Sequence, residues 1–164
     1  MAQINAYIDF NGDCRKAMEF YRDCIGGELS TQTMRESPMG EQCPAGRKDS
    51  IAHAALRKGD MILMGTDMAG PDGYIRGNNV ALCLNCGSSE EINVLHSKLS
   101  TGGKILQPLG RSFGGDLFSC FTDKFGMVVQ LFIFEAFHLY IKGDCVSKLC
   151  SHLYMLVDIS KQVV

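Results

Sequence analysis

The chain has 164 residues, 46% of them hydrophobic and 21% charged, with a formal net charge of −2; these proportions suit one globular domain or two small fused modules with a core that needs no staples. Its sixteen Lys and Arg are scattered rather than striped, which leaves no field for steering onto nucleic acid or an anionic membrane. No segment reaches the roughly 18 uninterrupted apolar residues of a membrane span, and MAQINAYIDFNGD lacks the basic and apolar regions of a signal peptide, so the expected location is the cytoplasm.

The first element is an alternating strand. Ala6, Ile8 and Phe10 fall on one face, and Asn5, Tyr7 and Asp9 on the other, as a period of two requires. One face calls for a helix; the other, of mixed chemistry, is available to line a cavity. Asn11-Gly12 makes a turn, and Asn11 or Asp13 is placed to cap the helix that follows. In that helix Ala17, Phe20, Tyr21, Cys24 and Ile25 form a single apolar stripe, and Gly26-Gly27 suits the left-handed residue that ends it. Three strands follow in ELSTQTMRES, SIAHAALRKG and MILMGTDM. Between the first two, Ser37 to Asp49 carries Pro, Gly and charge without periodicity and is expected to be a long mobile loop. Asp67 to Gly77 is the natural linker.

From Asn79 the same order starts again. Val80, Leu82 and Leu84 share one strand face, and Asn79, Ala81, Cys83 and Asn85 the other. Ser88 and Glu91 fit a capping box, Ile92, Leu95 and Leu99 make a narrow helical stripe, and Gly102-Gly103 closes it. KILQPLGRS, DLFSCFTDKFG and MVVQLFIFE supply the last strands, with GRSFGG read as a loop at a pocket rim. The expected fold class is therefore α+β: two βαβββ modules, residues 1–68 and 78–135, forming curved mixed sheets around a cleft. Residues 136–164 form a C-terminal extension, with an apolar stripe that predicts a helix over Cys145–Ile159. His138 and His152 lie in it and are assigned to no site.

The segments AYIDFNGDCRKAMEFYRDCIGGEL, IAHAALRKGDMILMGTD and SCFTDKFGMVVQLF resemble the vicinal oxygen chelate superfamily of glyoxalases, bleomycin- and fosfomycin-resistance proteins and extradiol dioxygenases. The resemblance spans about residues 3–134, and its nearest branch is PhnB-like, sometimes labelled 3-demethylubiquinone-methyltransferase-like. No strand, Gly-rich turn and helix unit of the kind that binds a nucleotide-type cofactor is visible, so the methyltransferase label draws no support from the residues. The family pairs its modules within a chain or exchanges them between chains, so the resemblance implies a homodimer. Unpaired sheet edges and apolar final strands give a physical reason for one.

Metal-using members of that superfamily carry ligands on the cavity face of the first and last strand of each module. Aligning the helices and final strands puts those positions at Asn5, Asn79, Leu63 and Gln130, with Ala6 as the alternative in the first module. None is His, Glu or Asp, the donors a divalent metal needs, so no cofactor is expected. Asn5, Asn79 and Gln130 instead offer amide donors and acceptors. Tyr7, Asp9 and His53 are candidates for the same space. His53 is the candidate acid or base, its ordinary pKa being near neutral, against a plain core-lining role; Asp9 is either a cavity carboxylate or a turn cap.

Other constellations yield less. Cys83 and Cys86 form a C-x-x-C, but residues three apart on a strand face opposite sides and no second donor pair is spaced to complete a zinc site. The eight cysteines are expected to be mostly reduced and buried. His96 is placed on the polar side of its helix, and Met61, Met64 and Met127 fill core or pocket. The expected function is metal-independent binding of a small molecule in the cleft, lined by Asn5, Tyr7, Asp9, His53, Asn79 and Gln130, with the Ser37–Asp49 loop closing over it. The alternatives are a metal-dependent glyoxalase-type lyase or isomerase, with ligands in another register or His53 as general base, and a non-enzymatic dimeric interaction module.

Overall fold

In the computed structural model, which describes residues 4–38, 40–68, 73–112 and 115–133, each half of the chain folds as strand, helix and three strands. The first module comprises β1 (Ala6–Asp9), α1 (Cys14–Ile25), β2 (Glu28–Thr33), β3 (Ile51–Lys58) and β4 (Met61–Thr66). The second comprises β5 (Ala81–Asn85), α2 (Ser89–Leu99), β6 (Lys104–Arg111), β7 (Leu117–Thr122) and β8 (Val128–Ile133). Their sheets run β1-β4-β3-β2 and β5-β8-β7-β6. In each, the first strand lies parallel to the last and the remaining neighbours are antiparallel. The expected α+β class of two βαβββ modules is what the chain forms. The helix expected at Cys145–Ile159 lies outside the described residues.

One pair of backbone hydrogen bonds fixes how the modules correspond. Phe10 N donates to Thr66 O at 2.9 Å, and Cys86 N donates to Phe132 O at 2.7 Å. Counting back along the strands makes Tyr7 equivalent to Cys83, and Met64 equivalent to Gln130.

The helices obey the sequence pattern with instructive departures. Ile92, Leu95 and Leu99 are buried as the stripe on α2 requires, while α1 buries Cys14 and Met18 as well as Ala17, Tyr21 and Cys24. Burying Met18, Ile92, Leu95 or Leu99 stabilises the fold by about 1.5–3 kcal/mol each. Ser88 caps α2 as expected: its Oγ accepts from Glu91 N at 3.1 Å, and Glu91 Oε2 accepts from Gly87 N at 2.8 Å. On α1 neither Asn11 nor Asp13 caps through its side chain; Asp13 instead pairs with Lys16. The cap comes from Asp67, whose Oδ1 accepts from Gly12 N and Cys14 N at 2.7 and 2.9 Å while Oδ2 takes Ile51 N at 2.9 Å. A buried carboxylate with three backbone donors offsets its own desolvation. The start of the expected linker is thus a structural joint.

Gly27, at φ +103°, lets the chain leave α1: a Cβ there would stand 2.4 Å from Arg57 O. Only glycine tolerates both the conformation and the approach.

The Ser37–Asp49 segment is more structured than its composition suggests. It holds a short 3-10 turn at Ala45–Arg47, buries Cys43, and is tied to the residue after β4 by Arg47 Nη2 donating to Asp67 O at 2.9 Å. Such local side-chain-to-backbone bonds leave no periodic trace in a sequence.

Helix-bearing faces of both sheets feed one continuous core, from Phe10, Met18, Tyr21 and Leu56 through Ile92 and Leu99 to Phe121 and Leu131. The modules meet through α1, α2 and the β7–β8 turn. Tyr21 OH donates to Asp123 Oδ2 at 2.5 Å across this seam, both side chains being buried. His96 departs from its expected solvated position. It stands half-buried with its ring edge-on to Phe121 at 5.7 Å, and its Nε2 is buried without a hydrogen-bond partner.

Candidate functional site

With one face of each sheet committed to helices, the side chains of alternate residues project from the other. On the first sheet the register aligns Tyr7 with Met64 and Met64 with Ala55 across β1, β4 and β3, and His53 with Gln32 on β2. On the second it aligns Cys83, Gln130 and Cys120 across β5, β8 and β7. These two rows are the open faces.

Tyr7 and His53, both expected here, do meet. Their rings stack with centroids 5.8 Å apart and planes at 27°, and His53 Nδ1 lies 3.5 Å from the Tyr7 hydroxyl. Tyr7 is 53% exposed, His53 partly so. The pair offers a ligand a flat aromatic surface edged by a hydroxyl and an imidazole nitrogen. Asp9 behaves as a turn residue: its Oδ1 accepts from Asn11 N at 3.0 Å.

Asn5 and Asn79 stand just before β1 and β5, the first half-buried and the second exposed. They are not structurally equivalent, because the backbone correspondence pairs Asn5 with Ala81. Likewise Leu63 is 5% exposed and faces the helices; the residue matching Gln130 is Met64. The shift comes from carrying the positions over from the helices and final strands, where one residue of slippage exchanges faces. Gln130 stands opposite Cys120 in the register, and burial raises the Cys120 thiol pKa. Cys83, missed as a site residue and alone exposed among the described cysteines, has its thiol pushed up by partial burial in the sheet surface. Cys86 points to the core, where burial and then Glu91 push it up to about 11. The C-x-x-C is therefore split between faces, as strand geometry demands.

Tyr7 pairs with Met64 and Cys83 with Gln130 on the open faces, and among the described residues no group of three or more His, Cys, Asp or Glu is arranged to hold a metal ion. Tyr7, His53 and Asp9 belong to one sheet and Asn79 and Gln130 to the other; among the described residues no hydrogen bond or ring contact joins the two sets. Cavities formed by described residues lie elsewhere, at the module seam and beneath the 34–50 loop.

A repeated βαβββ module with one helix-covered and one open sheet face is the frame of a known class. The profile of the Glyoxalase/Bleomycin resistance protein/Dioxygenase superfamily matches residues 3–131, and the chain belongs to that superfamily. Among its relatives, Protein YjdN of Escherichia coli K12 is 30% identical over 133 residues, 76% of this chain and 90% of that protein. The crystal structure of protein PA1353 from Pseudomonas aeruginosa is 35% identical with a TM-score of 0.72, covering 81% of this chain and 98% of the other. The PhnB protein of Bacillus cereus is 25% identical with a TM-score of 0.66, covering 80% and 99%. The resemblance to the PhnB-like branch read from the motifs is thereby established, and among the described residues no helix is long and apolar enough to cross a membrane.

Proposed function

We propose that this chain binds a small organic molecule against its open sheet faces, without a resident metal. The observation that carries the reading is the stacked Tyr7–His53 pair, an aromatic surface with two polar atoms at its edge. Gln130 and Cys83 on the second open face add amide and thiol chemistry, and Asn5 and Asn79 flank the two faces. The site is complete only when the two faces come together. Since the helix-side core joins the modules within one chain, a second copy is the natural source of the opposing wall, and the reading is of a cytoplasmic homodimer. Exposed Ile4, Tyr7 and Val80 beside the edge strands β1 and β5 are apolar surface that such a partner would cover.

The test is a thermal-shift screen of metabolites, with hits measured by calorimetry on wild type, Tyr7→Ala and Gln130→Ala, alongside light scattering and elemental analysis. A ligand weakened by both substitutions, on a metal-free dimer, supports the reading. Stoichiometric Zn, Ni, Mn or Fe, or hits indifferent to both substitutions, sinks it. A second reading, lyase or isomerase chemistry with His53 as general base, is favoured by the 3.5 Å approach of its Nδ1 to the Tyr7 hydroxyl. Turnover that survives His53→Ala removes it.

A further inference from the structure

We propose that the seam between the modules is a second binding site, one that takes a small organic dianion. A cavity of about 470 Å³ opens there, and Arg76, Lys104 and Lys124 line it together with the rings of Phe10 and Phe125. That volume falls within the range of small-molecule sites, roughly 300–1,000 Å³.

Three cations face two carboxylates, Asp13 and Asp123, which leaves the lining with one net positive charge. Both carboxylates already have partners. Asp13 holds Lys16 at 3.1 Å. Asp123 receives Phe125 N at 2.8 Å, Met127 N at 2.9 Å and the Tyr21 hydroxyl at 2.5 Å. The ion pairs among the described residues are Lys16–Asp13, Arg22–Asp23 and Arg35–Asp49, so none neutralises a cation of the cavity. Lys124 Nζ instead lies over ring faces, 4.2 Å from the Phe20 centroid and 5.3 Å from that of Phe125. Those contacts hold the ammonium without cancelling its charge.

Arg76 is held in place. Its Nε donates to the Tyr74 hydroxyl at 3.1 Å and its Nη2 to Phe125 O at 2.8 Å. The guanidinium lies across the β7–β8 turn at Gly126, where a Cβ would come within 1.8 Å of Nη1. Glycine admits the guanidinium there, and among the described residues no hydrogen bond occupies Nη1. A planar guanidinium and two ammonium-bearing side chains lining one cavity match a phosphate monoester or a short dicarboxylate, with the Phe10 and Phe125 rings for its carbon body. At the start of α1, Gly12 N and Cys14 N are spent on Asp67. No residue is shared with the open-face site.

Calorimetry at constant ionic strength tests this, with inorganic phosphate, glycerol 3-phosphate and succinate as probes and sodium chloride as the blank. At least one dianion is expected to bind saturably, and Lys104→Gln and Lys124→Gln each to weaken it about tenfold. Both lysines are exposed, so circular dichroism of the variants should match wild type. Preference for the phosphates assigns a phosphoryl group, and preference for succinate a dicarboxylate. No saturable binding of any probe, or affinity unchanged in both lysine variants, overturns the proposal. Ligands of the open face should be indifferent to both lysines, which separates the two sites.

Discussion

Tyr21 on α1 and Asp123 at the β7–β8 turn, 102 residues apart, share one short hydrogen bond inside the seam between the modules. The phenol is the only side-chain donor among the three groups Asp123 accepts from. Tyr21→Phe therefore leaves a buried carboxylate short of one partner and should cost about 1–3 kcal/mol in urea unfolding. The Tyr21 pKa is raised, first by burial and then by the Asp123 charge. The folded chain keeps a proton that the unfolded chain releases near pH 10, about the ordinary phenol value. The stability tied to this proton is complete below that pH and drains away above it. Wild type should lose stability there faster than Tyr21→Phe, as denaturant midpoints measured across the alkaline range will register.

Asp67 accepts three backbone N–H groups from two parts of the first module. Removing them together with Asp67→Ala should cost about 3 kcal/mol or more. Asp67→Asn keeps one acceptor oxygen and should fall between. Equal midpoints for wild type and Asp67→Ala would show the cap to be idle.

His96 titrates on the acid side. Burial lowers its pKa, so the folded state resists a proton that the unfolded state takes up near pH 6.5. Stability is complete above that value and declines as the pH falls toward the lowered one. A His96→Leu variant should show a flatter stability profile between pH 7 and 5, a range covered by thermal melts.

Gly27→Ala combines a left-handed backbone with a Cβ placed 2.4 Å from Arg57 O. The conformation alone costs about 1–2 kcal/mol, and the contact forces β3 to move as well. A melting temperature within a degree of wild type would mean the turn relaxes freely.

Cys83 is the described thiol open to reagents, whereas Cys14 is buried and pushed up to about 12 by desolvation and then by Asp67. Brief alkylation of the folded protein, read by peptide mapping, should modify Cys83 ahead of Cys14, Cys86 and Cys120. The reaction should quicken with rising pH, because burial raises the Cys83 pKa as well.

Both the repeat and the strand order were legible because period-two and period-3.6 patterns are local. Ser88 with Glu91 was found for the same reason: its partners are three residues apart. Asp67 escaped because its partners lie 16, 53 and 55 residues upstream, beyond any window that reads neighbours. Met64 was displaced by Leu63 because both are apolar, so composition could not say which faces the helices; only the pairing of Tyr7 with Met64 did. His96 was misplaced because one turn of a narrow stripe gives little warning of a ring reaching back to Phe121. The Tyr7–His53 pair was anticipated as a shared space, but its stacking depends on β4 lying between β1 and β3.

Asp67 also bears on the order in which the chain assembles. The second helix carries its own start signal, so its first turn can close as soon as residues 87–91 are joined. The first helix has to wait for the end of β4 before its leading amides find an acceptor. During refolding, pulse-labelled amides of α2 should gain protection ahead of those at Gly12 and Cys14. The duplicated modules would then be alike in shape yet unequal in timing, the later one in sequence being the earlier to nucleate its helix.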